Sequence, residues 1–84
     1  MKIHVRYFAS LREALGPSET VDIAAAGATV AALRDALIAR GGRHAEVLAH
    51  GRAVRCSLDQ RMADERTALA EGAEVAFFPP VTGG

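Results

Sequence analysis

Gly72-Ala73-Glu74-Val75-Ala76-Phe77-Phe78-Pro79-Pro80-Val81-Thr82-Gly83-Gly84, residues 72–84, is the stretch that decides how this chain folds. Glu71-Gly72 reads as a turn. From Glu74 to Phe78 the pattern is that of a strand, with Val75 and Phe77 on one face and Ala76 and Phe78 on the other. Pro79-Pro80 stops the strand, because proline offers no N–H to a ladder, and it favours an extended path beyond. A buried strand that runs straight into a stiffened arm predicts a folded domain over residues 1–78 and an extended tail over residues 79–84. Six extended residues reach about 20 Å at roughly 3.3 Å each.

The arm is chemically bare. All ten Lys and Arg and all ten Asp and Glu precede residue 75, so the α-carboxylate of Gly84 is the one charge in the last ten residues. Gly83 and Gly84 lack side chains, can enter a narrow channel, and leave that carboxylate open to activation. Chain ends usually fray, but disordered ends are polar, and this one is apolar and proline-stiffened.

Working back from the last strand, Val54, Cys56 and Leu58 alternate with Arg55, Ser57 and Asp59, which predicts another strand. Asp59-Gln60 turns the chain into a short edge strand near Met62. At the other end, Ile3, Val5 and Tyr7 alternate with Lys2, His4, Arg6 and Phe8, giving a first strand with one buried face. Ser10-Leu11-Arg12-Glu13 has the form of a capping box, opening a short helix that Gly16-Pro17 ends. Thr20 to Ile23 predicts a second strand, paired with the first as a hairpin with an irregular loop. Thr29 is a candidate N-cap for the main helix, about residues 30–40, with Val30, Leu33 and Leu37 on its apolar stripe and Gly41-Gly42 as its stop. His44 to His50 can form a helical turn. The expected order is β-β-α-β-β-β, an α+β fold with one mixed sheet of about five strands on one main helix and the other sheet face open.

Composition narrows the function. With 84 residues the chain is one domain, and one that takes part in catalysis works through partners. Zero net charge without a basic run argues against nucleic acid as the partner. Apolar runs fall short of the roughly 18–20 residues of a membrane span, and the alternating start shows no secretory signal. The lone Cys56 cannot form an internal disulfide, which fits a reducing, cytoplasmic setting. On an apolar face it is expected to pack, not to carry a persulfide. His4, His44 and His50 do not have metal-ligand spacing, so no metal is expected. Gly41-Gly42 follows a helix, so it is a stop and not a phosphate loop. Asp59, Asp64 and Glu65 lie near the predicted edge and are expected to be solvated.

The run from Gly72 to Gly84 resembles the C-terminus of the MoaD-type small subunits of molybdopterin synthase, which are ubiquitin-like β-grasp sulfur carriers. Tyr7-Phe8-Ala9-Ser10-Leu11-Arg12-Glu13-Ala14-Leu15-Gly16 is similar to the family's first strand and helix, and Thr29-Val30-Ala31-Ala32-Leu33-Arg34 to the start of its main helix. Leu58-Asp59 departs from the family, which often has Asn there.

The resemblance implies a carrier that is non-catalytic on its own and forms part of a sulfurtransferase complex with the large synthase subunit. A ubiquitin-activating-like adenylyltransferase would use ATP to adenylate Gly84, and the adenylate would become a thiocarboxylate. Gly83 and the arm Pro79, Pro80, Val81 and Thr82 would enter the large subunit, where the sulfur passes to cyclic pyranopterin monophosphate to form the dithiolene. The carrier itself would bind no cofactor. Because the first and last strands of a β-grasp sheet are parallel neighbours, parity sets Phe8 and Phe78 together on the open face, as an interface beside the tail. The resemblance adds an apolar contact at Met62 and a polar one at Arg12. Three other readings stand beside it: a thiamine-pathway sulfur carrier, which more often lacks the double proline; a ubiquitin-like protein modifier joined through Gly84; and a binding module whose tail has no chemistry.

Overall fold

The computed structural model describes residues 1–80. Its elements run β1 (Lys2–Tyr7), α1 (Ala9–Leu15), β2 (Ser18–Asp22), α2 (Val30–Ile38), α3 (Gly42–Leu48), β3 (Arg55–Leu58), β4 (Arg61–Ala63) and β5 (Glu74–Phe78). The five strands form one mixed sheet in the order β2-β1-β5-β3-β4. β1 and β5 are parallel at its centre, with Tyr7 beside Phe77, and the other pairings are antiparallel.

Alternation explains which face is buried. Ile3, Val5 and Tyr7 of β1 and Val75 and Phe77 of β5 are almost fully enclosed, and they meet Val30, Leu33 and Leu37 of α2 and Leu48 of α3. Each large aliphatic side chain so buried contributes about 1.5–3 kcal/mol. Among the described residues no helix covers the other face, as parity predicts.

Thr29 is the N-cap of α2, its Oγ1 accepting from the Ala32 N–H at 3.2 Å. The remaining orphan donors of that first turn go to a strap of residues 64–69. Val30 N–H donates to the Thr67 carbonyl at 3.0 Å and Ala31 N–H to that of Glu65 at 2.9 Å, while Leu33 bonds Thr29. The strap follows β4, so the helix end and the edge strand hold one another.

Four local features differ from expectation. The helix α1 starts at Ala9, with Phe8 as N-cap and no side-chain cap, so Ser10 does not open a capping box. The Phe8 N–H instead bonds the Phe77 carbonyl, and this tertiary bond fixes the entry to the helix. β2 begins at Ser18, because Glu19 and Ser18 continue the ladder against Val5 and Arg6. α2 ends at Ile38, short of Arg40. The turn at 44–50 is a full helix, α3, reached through Gly41 and Gly42, whose φ values of 73° and 56° suit glycine. α1 and α3 therefore join α2, and the order is β-α-β-α-α-β-β-β.

Candidate functional site

The open face can be assembled from register alone, since paired residues share a face. Ser18 pairs with Arg6, Arg6 with Ala76, Ala76 with Ser57 and Ser57 with Met62, so one row crosses all five strands. The neighbouring row, towards the tail, holds Phe78 opposite Arg55. Continuing the parallel β1–β5 ladder one step beyond Tyr7 and Phe77 sets Phe8 beside Phe78. Parity thus correctly places both phenylalanines on this face.

Phe8 and Met62 are the exposed large hydrophobics of the described residues, at 38% and 61%, and Phe78 is half-buried between their strands. Described aromatic pairs are Tyr7–His44 and Tyr7–Phe77; the Phe8 ring is covered instead by Arg6, whose guanidinium carbon lies 5.3 Å from the ring centroid. Arg6 also stands 3.7 Å from the Glu74 carboxylate. Both line a hollow of about 80 Å³, together with Phe8, Ser57, Gln60 and Ala76. Arg12 is exposed on α1, one turn from Phe8, whose carbonyl accepts its N–H.

Beyond Phe78 the chain leaves the ladder at Pro79, half-buried, and Pro80, exposed. Val81, Thr82, Gly83 and Gly84, the remaining predicted site residues, lie outside the described residues.

Two polar clusters hold the scaffold behind this face. Glu19 of β2 accepts from the Tyr7 hydroxyl at 2.7 Å, from His44 Nε2 at 2.8 Å and from Arg40, which joins the ends of α2 and α3 to the sheet. Burial pushes the Glu19 carboxyl up, but the hydrogen bonds from His44, Tyr7 and Arg40 outweigh it and hold it at about 2. Burial and the same carboxylate push the Tyr7 phenol far above its ordinary range. In the second cluster Arg34, buried on α2, donates to the carbonyls of Leu48 and Ala49 at 2.7 Å and of Arg52 at 3.2 Å. It also faces Glu65 of the strap at 3.7 Å.

Cys56 is packing, as expected: it is buried, its Sγ lies 3.5 Å from the Ala63 carbonyl, and burial pushes its thiol up, away from the reactive thiolate. His44 and His50 bond Glu19 and Asp35. Asp59 does more than face water, since its Oδ1 accepts from the Glu74 N–H at 3.0 Å.

The open face offers apolar side chains together with ammonium, imidazole, guanidinium, carboxylate, hydroxyl and amide groups. Arg6, Ser57, Gln60 and Ala76 were missed as site candidates. Parity marks Arg6, Ser57 and Ala76 as outward, but only the register shows that they adjoin.

Comparison with known proteins gives a consistent picture. Residues 5–84 match the family described as the ThiS family. The chain is 42% identical over 82 residues, 98% of this chain and 99% of the other, to the molybdopterin synthase sulfur carrier subunit of Escherichia coli (strain K12). It is similar to the crystal structure of small archaeal modifier protein 1 from H. volcanii, with TM-score 0.76 and 28% identity over 95% of this chain and 98% of that one. It also shares its fold with a chain in the complex of subunits 1 and 2 of molybdopterin-converting factor from Helicobacter pylori 26695, with TM-score 0.69 and 22% identity over the whole of both chains. These likenesses agree with the ubiquitin-like β-grasp expected from the sequence.

Proposed function

The chain belongs to the ThiS family, and on that premise we propose that it is the sulfur-carrier subunit of molybdopterin synthase. The observation that carries this reading is its likeness, over nearly the whole of both chains, to a protein of that name. A subunit needs a complementary subunit, and the open face, with Phe8, Phe78 and Met62 around the root of the arm, has the apolar anchors of a docking surface.

The chemistry sits on Gly84. A carboxylate is a poor electrophile. A ubiquitin-activating-like adenylyltransferase joins it to the AMP of ATP with loss of pyrophosphate, and a sulfur nucleophile then displaces AMP to leave a thiocarboxylate. The arm carries this sulfur into the large subunit, where it is transferred to cyclic pyranopterin monophosphate and water restores the carboxylate. Presenting the sulfur on a docked arm replaces a bimolecular encounter by positioning. The acid, base and anion-binding groups belong to the partners, and the carrier works in the cytoplasm, where a thiocarboxylate meets reducing conditions.

A second reading, a protein modifier joined through Gly84 to lysines, is favoured by the likeness to the archaeal modifier. One experiment separates the two. The full chain is incubated with an activating enzyme, ATP and a sulfur donor, and its intact mass is read. A gain equal to exchange of oxygen for sulfur at Gly84, lost on deleting Gly84 while the melting temperature holds, supports the carrier. Lysine-linked adducts alone support the modifier, and an unchanged mass overturns both.

A further inference from the structure

We propose that Arg6 is a specificity-determining residue of the open face, and that the hollow beside it receives a carboxylate-bearing side chain of the large subunit. The proposal rests on the carrier-subunit reading above.

The hollow exists because two of the three inner strands, β5 and β3, carry small residues in its row. Ala76 and Ser57 face each other across β5 and β3, where longer side chains would fill the surface. Its volume of about 80 Å³ accommodates the end of one side chain. Its polar lining joins the donor-only Arg6 guanidinium to the Ser57 hydroxyl and the Gln60 amide, each able to donate, with Glu74 as the lone acid.

Arg6 is held but not consumed. The Phe8 ring supports it from one side, and stacking leaves guanidinium N–H groups free to bond in their own plane. Its approach to Glu74, at 3.7 Å, is beyond hydrogen-bond distance, and both side chains are partly exposed. Among the described residues no acceptor stands within hydrogen-bond reach of it. A fork with open donors is matched by a carboxylate, which accepts two of them at once. An incoming cation would meet Arg6 and also Arg55, which lies on the same face opposite Phe78. A neutral amide would leave part of the fork unanswered. Phe8 lines the hollow, Met62 pairs with its Ser57, and Phe78 lies one row on from its Ala76, so docking on these apolar residues excludes water and strengthens an ion pair formed inside.

The test measures binding of the full chain to the large subunit of molybdopterin synthase from the same organism, at low and high salt. Arg6→Ala is expected to weaken binding about tenfold and to flatten its salt dependence. Arg6→Lys recovers part of both, since it keeps the charge without the fork, and Arg6→Glu weakens binding further. Glu74→Gln, which removes the competing carboxylate, tightens it. Met62→Ala weakens binding by the same factor at every salt concentration. If Arg6→Ala and Arg6→Glu keep the original affinity and salt dependence while Met62→Ala weakens binding, the proposal is overturned and the carrier-subunit reading stands. If the unaltered chain does not bind the large subunit at any salt concentration, that reading falls and the proposal falls with it.

Discussion

The backbone N–H of Phe8 donates to the carbonyl of Phe77 at 3.1 Å, one bond beyond the parallel β1–β5 ladder. It ties the start of α1 to the end of β5, just before the two prolines, so the exposed Phe8 ring and Pro79 share one frame.

That bond uses main-chain atoms and survives truncation of the ring. Phe8→Ala should therefore lower stability by less than about 1 kcal/mol while weakening binding to the large subunit about tenfold or more. Paired thermal denaturation and titration calorimetry measure the two effects, and a large fall in melting temperature at unchanged affinity would contradict the docking role.

Glu19 is expected to make the fold acid-sensitive. Its ordinary value of 4.5 is lowered to about 2 in the fold, so its contribution is complete above about pH 4.5 and is lost as pH falls towards 2. Glu19→Gln should cost on the order of 2 kcal/mol at neutral pH and flatten the decline in melting temperature below pH 4.5. A decline in the variant as steep as in the unaltered chain would place the acid sensitivity elsewhere.

Arg34 donates to three backbone carbonyls from a nearly closed site. Arg34→Met keeps much of its apolar volume but strands those acceptors, and should cost about 3 kcal/mol. In a domain of this size that lowers the melting temperature by more than 10 °C, at roughly 4–8 °C per kcal/mol. Hydrogen exchange should show residues 49–53 opening first.

Asp59 and Gln60 both have left-handed backbones, at φ 48° and 70°. Asp59 earns its place by accepting from Glu74, but Gln60 makes no such bond. Gln60→Gly relieves the strain and should stabilise the fold by about 0.5–1 kcal/mol, read from chemical denaturation.

Much of this was legible in the sequence because burial is one-sided. A strand with one face in the core must alternate, so β1, β3 and β5 announce themselves, and Thr29 and Asp59-Gln60 punctuate the chain by local chemistry. What the sequence concealed is long-range. The start of α1 is fixed by a bond to Phe77, not by Ser10. Arg34 follows Leu33 on the helix and looks like any exposed arginine until the carbonyls of a distant loop are brought to it. Glu19 is one acid among ten until Tyr7, His44 and Arg40 converge on it. Arg6 was visibly outward, but its hollow depends on which small residues the register sets beside it.

The central position of β5 also governs when the protein can exist as a folded object. β5, the last strand of the described residues, fills the gap between β1 and β3, so a polypeptide that stops before Glu74 has a split sheet and an unclosed core. Folding must wait for this most distant pairing. Whatever extends from Phe78 is thereby anchored to the middle of the sheet and not to an edge.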